Sequence, residues 1–365
     1  NMVIDIDGQL GAREYNSKFG EVTFRTLDNT IISVSATMTD GTGAHLMEAD
    51  KSSGTYNLKS MKVNYRVEIE GDVVTSASTF VDIAGKFEAP YYKDYDPEIP
   101  TSAFDPSRDL FFQYSSGSGA TDIFMESVVG PVEIKATFGP TSAAMGVTGS
   151  VASISGQSKD IAYDVNVAGM GLSQMQLSLS NSIVKLFVPL DNVDESKPAG
   201  AKIALSGLTL SDQVWAMFDP TAALPRDEIN LDIDLSASLR WLKKIAEVDV
   251  SNTDQEPPLV MDSAEIKSLN LTIAGAELQT TGSVLVDNSQ FPPVPEGTVN
   301  ISLKGVQGLI GKLTEIGLIP AQNAMMIQGM TAMFFRPGEG GEDHLTSAIE
   351  MTKDGHIIAN GMPIK

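Results

Sequence analysis

Few side chains in this sequence are of the kind that do chemistry. There are three histidines, His45, His344 and His356, and no cysteine. Without cysteine there is no disulfide, no thiol nucleophile and no thiolate metal ligand. The histidines are far apart and lack ligand-like spacing, and imidazole in such settings is often a plain surface residue. His356 falls in a C-terminal hairpin and is expected to face solvent. Glu339, Glu342, Asp343 and His344 form a local set of donors suited to a divalent cation, although the glycines among them suit a solvated turn. Asp5-Ile6-Asp7-Gly8 has acids and glycine out of step with a calcium-binding EF-hand loop, and Gly169-x-Gly171 lacks the third glycine of a dinucleotide loop. The nucleophile elbow, the phosphate-binding loop and the zinc-protease helix motif are absent. Carboxylate pairs for glycan hydrolysis are defined by separation in space, so a carboxylate hydrolase ranks last. No catalytic residue, metal or cofactor is expected.

What remains is apolar chemistry. Met325, Met326, Met330 and Met333 crowd one helical stretch, where flexible thioethers serve either a core or a surface that accepts varied apolar ligands. Trp215 and Phe218 fall in one short helical stretch. Tyr91-Tyr92-Lys93-Asp94-Tyr95 sets rings among charges, as a recognition surface or as a loop folded over a sheet end. Lys and Arg number 25 against 47 Asp and Glu, a net charge of −22. That field repels phosphate backbones and anionic headgroups, which argues against nucleic acid and bilayer-surface binding. No stretch approaches the roughly 18–20 apolar residues of a membrane-spanning helix, so no transmembrane segment is expected.

The elements that must position these groups are mostly strands. Val63, Tyr65, Val67 and Ile69 alternate with polar residues, as do Ile229, Leu231, Ile233 and Leu235, and again Val299, Ile301 and Leu303. Shorter runs occur at Val165/Val167 and Leu177/Leu179. Alternation puts the apolar set on one face, as in antiparallel sheets with a wet side, and differs from the continuous runs of a doubly wound fold. Asn270-Leu271-Thr272 and Asn300-Ile301-Ser302 fit a glycosylation acceptor but read more simply as the polar half of such strands. Helices are few: Asp212–Phe218 capped by Ser211, Leu239–Val248, a stretch through Leu309, Leu313 and Ile316 closing at Gly317, and Ala321 to about Phe334. Residues 91–106, 191–200 and 249–258 read as long loops, and 115–149 as small-residue strands and turns.

Two segments repeat. Pro225 and Pro295 are 70 residues apart (295 − 225), and their surroundings share Pro-x-x-x-[Ile/Val]-Asn-[Leu/Ile], with Leu239 aligned on Leu309. Each copy reads as strand, proline turn, strand and helix, a unit that must stack on neighbours to bury its apolar face. The expected fold is mainly β: an elongated, curved antiparallel sheet, a half-barrel or groove, built from repeated strand–strand–helix units with a few short helices. The expected organisation is a β-rich region 1–190 and a repeat region 200–365, with copies at about 203–248 and 269–319 and a closing helix and hairpin at 321–365.

These residues also carry a family resemblance. The Leu-Thr-Ile-x-Gly strand, the Pro-Glu-Gly turn into Val299–Leu303, the helix leading to Gly317-Leu318-Ile319-Pro320, and above all the terminal Asp-Gly-x-Ile-x-x-Asn-Gly-x-Pro of Asp354–Pro363 resemble the alphaproteobacterial exported family known as domain of unknown function 2125. More distantly the chain is similar to AsmA-like β-groove proteins of the envelope. The resemblance implies a periplasmic location, with a signal peptide upstream of this chain, and a concave apolar sheet face that holds lipid. The expectation is therefore a non-catalytic protein binding or transferring a lipid or other apolar molecule. Trp215, Phe218, Ile229, Leu231, Ile233, Val299, Ile301, Leu303, Met325, Met326 and Met330 are the candidate contacts. The alternative is an envelope scaffold acting through protein partners.

Overall fold

A computed structural model describes residues 2–9, 12–26, 31–69, 72–90, 105–126, 130–191, 193, 195–245, 258–339, 341 and 343–364. The fold is mainly β, the recorded ladders are antiparallel, and three α-helices occur among the described residues. The chain divides into two compact units, residues 1–182 with 210–214, and residues 183–209 with 215–365.

In unit 1, β1 (Met2–Gln9), β2 (Ala12–Arg25), β3 (Ile32–Glu48), β4 (Lys51–Ile69) and β5 (Asp72–Pro90) pair in order. Beyond β5, two lines of paired strands each break once. β6 (Leu110–Ser116) and β7 (Ser118–Met125) are separated by Gly117, and β8 (Val132–Phe138) and β9 (Thr141–Thr148) by Gly139-Pro140. The long β10 (Val151–Val167) then pairs with both β8 and β9. The breaks line up with left-handed residues in the long strands: Asp40, Asp82 and Asp160 have φ of 47°, 50° and 49°. Asp82 lies against Gly117 and Asp160 against Gly139, where a Cβ would meet the aspartate side chain at 3.2 and 2.9 Å. Aspartate tolerates this backbone region better than most residues. Opposite Asp82, Lys59 completes the line with an ion pair of 2.6 Å. Across the line the apolar set changes parity, from Val34, Ala36 and Met38 to Gly43, His45 and Met47 on β3.

β11 (Leu172–Pro189) is divided between the units. Unit 2 continues with β12 (Lys197–Leu210), β13 (Ile229–Trp241), β14 (Leu259–Ile273), β15 (Ala276–Asp287) and β16 (Val294–Lys304), and the short α1 (Asp212–Ala216) is again divided between the units. β12 to β16 pair in order, and β16 then pairs with β18 (His344–Met351). Helices α2 (Val306–Glu315) and α3 (Ala321–Phe334) and a two-residue β17 (Arg336–Pro337) intervene in the chain. The end is a hairpin, β19 (Ile357–Ala359) and β20 (Met362–Pro363), turned at Asn360 and Gly361 with φ of 50° and 80°. That is the doubly positive geometry for which Asn-Gly is preferred.

The four expected helices fare differently. Those at Asp212, Leu309 and Ala321–Phe334 form. The one at Leu239–Val248 does not in its described part. Leu239 and Trp241 instead extend the period-two pattern of β13 and pair with Met261 and Leu259. The Trp241 indole N–H fixes this end by donating to the Pro189 carbonyl at 2.8 Å. The two copies therefore do not share the helix at a fixed distance. Nor do they share the proline turn: Pro225 precedes β13, whereas Pro295 lies inside β16 opposite Val286. Because β18 joins β16 only from Gly297 onward, one side of Pro295 has no neighbouring strand among the described residues, a place where proline is tolerated. The tyrosine loop (residues 91–104), most of 249–258, residues 246–248 and Glu342 lie outside the described residues.

Candidate apolar binding faces

The registers of unit 2 turn separate alternating strands into rows. Leu205, Leu231, Leu271, Leu278, Leu303 and Leu345 face one another in sequence across six strands. The next row runs Ile203, Ile233, Leu269, Thr280, Ile301 and Ser347, and the next includes Leu235, Ile266, Gly282, Val299, Ile349 and Ala359. Bulges after Leu205 and Asp234 keep the pattern in phase. At the first, Gly207 has φ of 67° and its N–H is accepted by the Asn230 carboxamide at 2.8 Å. Of the sequence candidates, Ile229, Leu231, Ile233, Val299, Ile301 and Leu303 share this face.

The opposite face is mostly polar and carries ion pairs and hydrogen bonds between its side chains. Lys202 pairs with Asp232 and Asp234 at 3.4 and 3.1 Å, which raises its pKa, chiefly through the Asp234 hydrogen bond. The Ser268 hydroxyl donates to Asp232 at 2.6 Å. Asn270 and Asn300 belong to this face and are exposed. Its grooves, of ≈ 770 Å³ along Ser236, Glu265 and Thr298 and ≈ 390 Å³ along Gln279, Asn300 and Thr346, mix these polar groups with apolar ones such as the exposed Leu285.

The apolar face is covered at one side and open at the other. Over β18, the Ser347 hydroxyl and the Asn360 amide donate to the Phe334 carbonyl at 2.7 and 2.8 Å, bringing the end of α3 onto this face. Asn360 also accepts the Ala348 N–H at 2.9 Å, so one side chain ties the hairpin, β18 and α3 together. Leu345 and Ala359 are buried here. Toward β12–β14, Ile203, Leu235 and Met261 keep 37%, 37% and 40% of their surface exposed.

The remaining candidates sit elsewhere. Trp215 is buried, with the Phe218 ring 5.1 Å away and the Arg226 guanidinium 5.9 Å from its own ring. It packs the segment between β12 and β13. That segment is held by Asp219, fully buried, which accepts the N–H groups of Ala223 and Leu224 at 2.9 Å each. Burial would raise its pKa, but these donors, the Thr221 hydroxyl and Arg226 outweigh it and hold the carboxyl below the ordinary range. On α3, Ala324, Ile327, Thr331 and Phe334 face inward, while Met325, Met326, Met330 and Met333 are more than half exposed. Asp343 accepts the first N–H groups of α2, from Gln307 and Gly308, at 3.0 and 2.9 Å. The His344 imidazole lies 3.0 Å from the Ser302 hydroxyl and 2.7 Å from the Glu339 carbonyl. Asp343 and His344 thus serve a helix cap and a turn, and among the described residues no group of three or more metal-type donors converges.

Unit 1 holds a second apolar face that sequence reasoning missed. Tyr15, His45, Phe87, Phe112, Met145 and Ile154 form one row from β2 to β10, with Gly54 filling the β4 position. Successive rings lie 5.9, 5.7 and 6.5 Å apart from Tyr15 to Phe112. The floor is a set of rings over glycines: Phe19 on Gly41, Phe87 on Gly54, Tyr56 on Gly85 and Phe80 on Gly119 are all directly paired across strands. A Cβ at Gly54 would stand 2.7 Å from the Phe87 ring, and at Gly119 2.6 Å from Phe80. Phe112, Met145 and Ile154 are 48%, 53% and 50% exposed. The available signal was glycine and aromatic residues alternating at i, i+2 in Gly41-x-Gly43-x-His45 and Gly85-x-Phe87. The groove of ≈ 480 Å³ in this unit, lined by Asn64, Arg66, Asp122 and Lys135, lies on the other, polar face.

Among the described residues no helix is long and apolar enough to cross a membrane, which leaves strands unaddressed. The family model described as an uncharacterised protein conserved in bacteria, domain of unknown function 2125, matches residues 141–364. That is more than half of the chain, and the chain belongs to this family. The match starts well before the C-terminal stretch that carries the sequence resemblance, and it includes β9 and β10. The family description names no catalytic activity. No curated protein and no solved structure matches the chain.

Proposed function

We propose that this member of the family is a non-catalytic protein of the bacterial periplasm that binds or transfers a lipid or similar apolar molecule on the open aliphatic face of unit 2. The observation that carries the reading is the set of apolar rows whose β12–β14 side leaves Ile203, Leu235 and Met261 uncovered. A soluble protein rarely exposes a contiguous apolar surface without a use for it. Capture needs no reactive group. Burying about 300 Å² of hydrocarbon yields roughly 7 kcal/mol before the costs of association are subtracted. The periplasmic placement is supported by bacterial family membership, the absence of cysteine and the acidic composition.

The test is native mass spectrometry and organic extraction of the purified chain, with Ile203→Asp and Leu235→Asp beside it. Both side chains are exposed enough for the fold to survive. An apolar molecule recovered from the parent and lost from the variants is expected. Recovering none, together with no uptake of dodecyl maltoside, overturns the reading. A second reading, an envelope scaffold working through protein partners, draws on the exposed methionines of α3. It predicts that Met326→Glu with Met330→Glu leaves ligand recovery intact and abolishes partner capture.

A further inference from the structure

We propose that unit 1 carries a separate binding site, in which the aromatic row from Tyr15 to Ile154 takes the tail of a single-chain anionic amphiphile and Arg13 takes its head group. The row crosses seven strands, and at about 4.8 Å between neighbours it is about 29 Å long. One acyl tail spans about 15 Å, half the hydrocarbon core of a bilayer, so a tail fits along the row. The floor suits a flexible chain because rings laid on glycines give a flat surface without deep pockets. His45 does not interrupt it, since one ring nitrogen is engaged by the Ser52 hydroxyl at 2.6 Å.

The head group follows from charge. The row through Tyr15 holds no permanently charged side chain, nor does the neighbouring row through Ser17, Gly43, Tyr56, Gly85, Tyr114 and Ala143. On the other side, the row that pairs Arg13 with Met47 and Met47 with Ser52 brings one cation, Arg13, exposed at the β2 end. Arg13 and Tyr15 are two residues apart on one strand and so share a face. Asp7 and Glu14, which pair with each other, belong to the opposite face. A guanidinium beside apolar surface favours a carboxylate or phosphate through charge-assisted hydrogen bonds. The net charge of −22 opposes any anion, but screening over about 8 Å at physiological salt leaves the nearest charge dominant.

The site is tested by calorimetric titration of the full chain with dodecanoate, dodecyl phosphate and dodecyl maltoside, which share a tail and differ in head group. Titrating both the parent and the Leu235→Asp chain removes the unit 2 face from the measurement, so each site can fail alone. In the Leu235→Asp background, at least one anionic amphiphile is expected to bind about fivefold more tightly than the maltoside. Adding Arg13→Glu should erase that preference and leave maltoside affinity unchanged. Met145→Asp should weaken all three by about tenfold or more, and Met145→Gln by less, with circular dichroism unaltered. Equal affinity for the three head groups, or no effect of Arg13→Glu, overturns the head-group assignment. Indifference to both Met145 variants overturns the site.

Discussion

The two units dispose of a one-sided sheet's apolar surface in different ways. Unit 2 builds aliphatic rows and lowers helices onto one side of them, so that Leu345 is buried while Leu235 is open. Unit 1 lays its own rings flat over cross-strand glycines. The first buries surface by adding a layer, and the second by folding side chains down within the layer. A covered row should be sensitive to cavities. A paved row should be sensitive to what lies beneath each ring and indifferent to losses at its exposed rim.

The largest effect should follow from Leu345→Ala, about 3 kcal/mol of lost stability in urea unfolding, because α3 cannot collapse onto the void while Ser347 and Asn360 hold its end. A loss as small as that at an exposed position would erase the distinction between the units. Next, Gly85→Ala should cost about 2 kcal/mol by driving the Tyr56 ring off the strand. In the Tyr56→Ala background the same change should cost much less, and a double-mutant cycle reads the coupling. Additive effects would show that the ring does not depend on the glycine.

Asp219→Ala removes the acceptor that holds the segment carrying Trp215 and Leu224. It should lower the melting temperature of unit 2 by roughly 5 °C at neutral pH. The folded carboxyl titrates below its unfolded counterpart, so its contribution is complete above the unfolded value of about 4 and disappears as pH falls through the folded one. Parent and variant should therefore converge in acid, and a constant gap would show that the charge is not involved. The smallest effect belongs to Phe112→Ala, under about 1 kcal/mol, because half of that ring already faces solvent. Its readout is amphiphile binding rather than unfolding.

How much of this was legible in the sequence depended on the regularity of the alternation. Ile229–Leu235 and Val299–Leu303 keep strict period two, and the structure sets them in the same rows. The limits of α3 were legible because Pro320 opens it and Arg336-Pro337 follows it. The Leu239 segment misled because Leu239, Leu242 and Ile245 are spaced as on a helix, while Ala237, Leu239 and Trp241 continue a strand, and the ladder to β14 decides between them. The aromatic row was not legible. It unites residues from seven strands, and on β3 the apolar parity switches at Asp40, so no single window displays it. Trp215 and the α3 methionines show a further limit: type and spacing mark a side chain as apolar, but only packing decides whether it is core or surface.

The ring-on-glycine pairs also bear on how such a sheet can change over generations. A glycine roofed by a neighbour's ring cannot gain a side chain until that ring is gone, and the ring's departure alone leaves bare backbone. Gly41 with Phe19, Gly54 with Phe87, Gly85 with Tyr56 and Gly119 with Phe80 should therefore be inherited as couples among relatives that share this sheet, lost together or kept together. An alignment of relatives would reveal them as covarying columns far apart in sequence, and so would recover the register of this sheet without a structure.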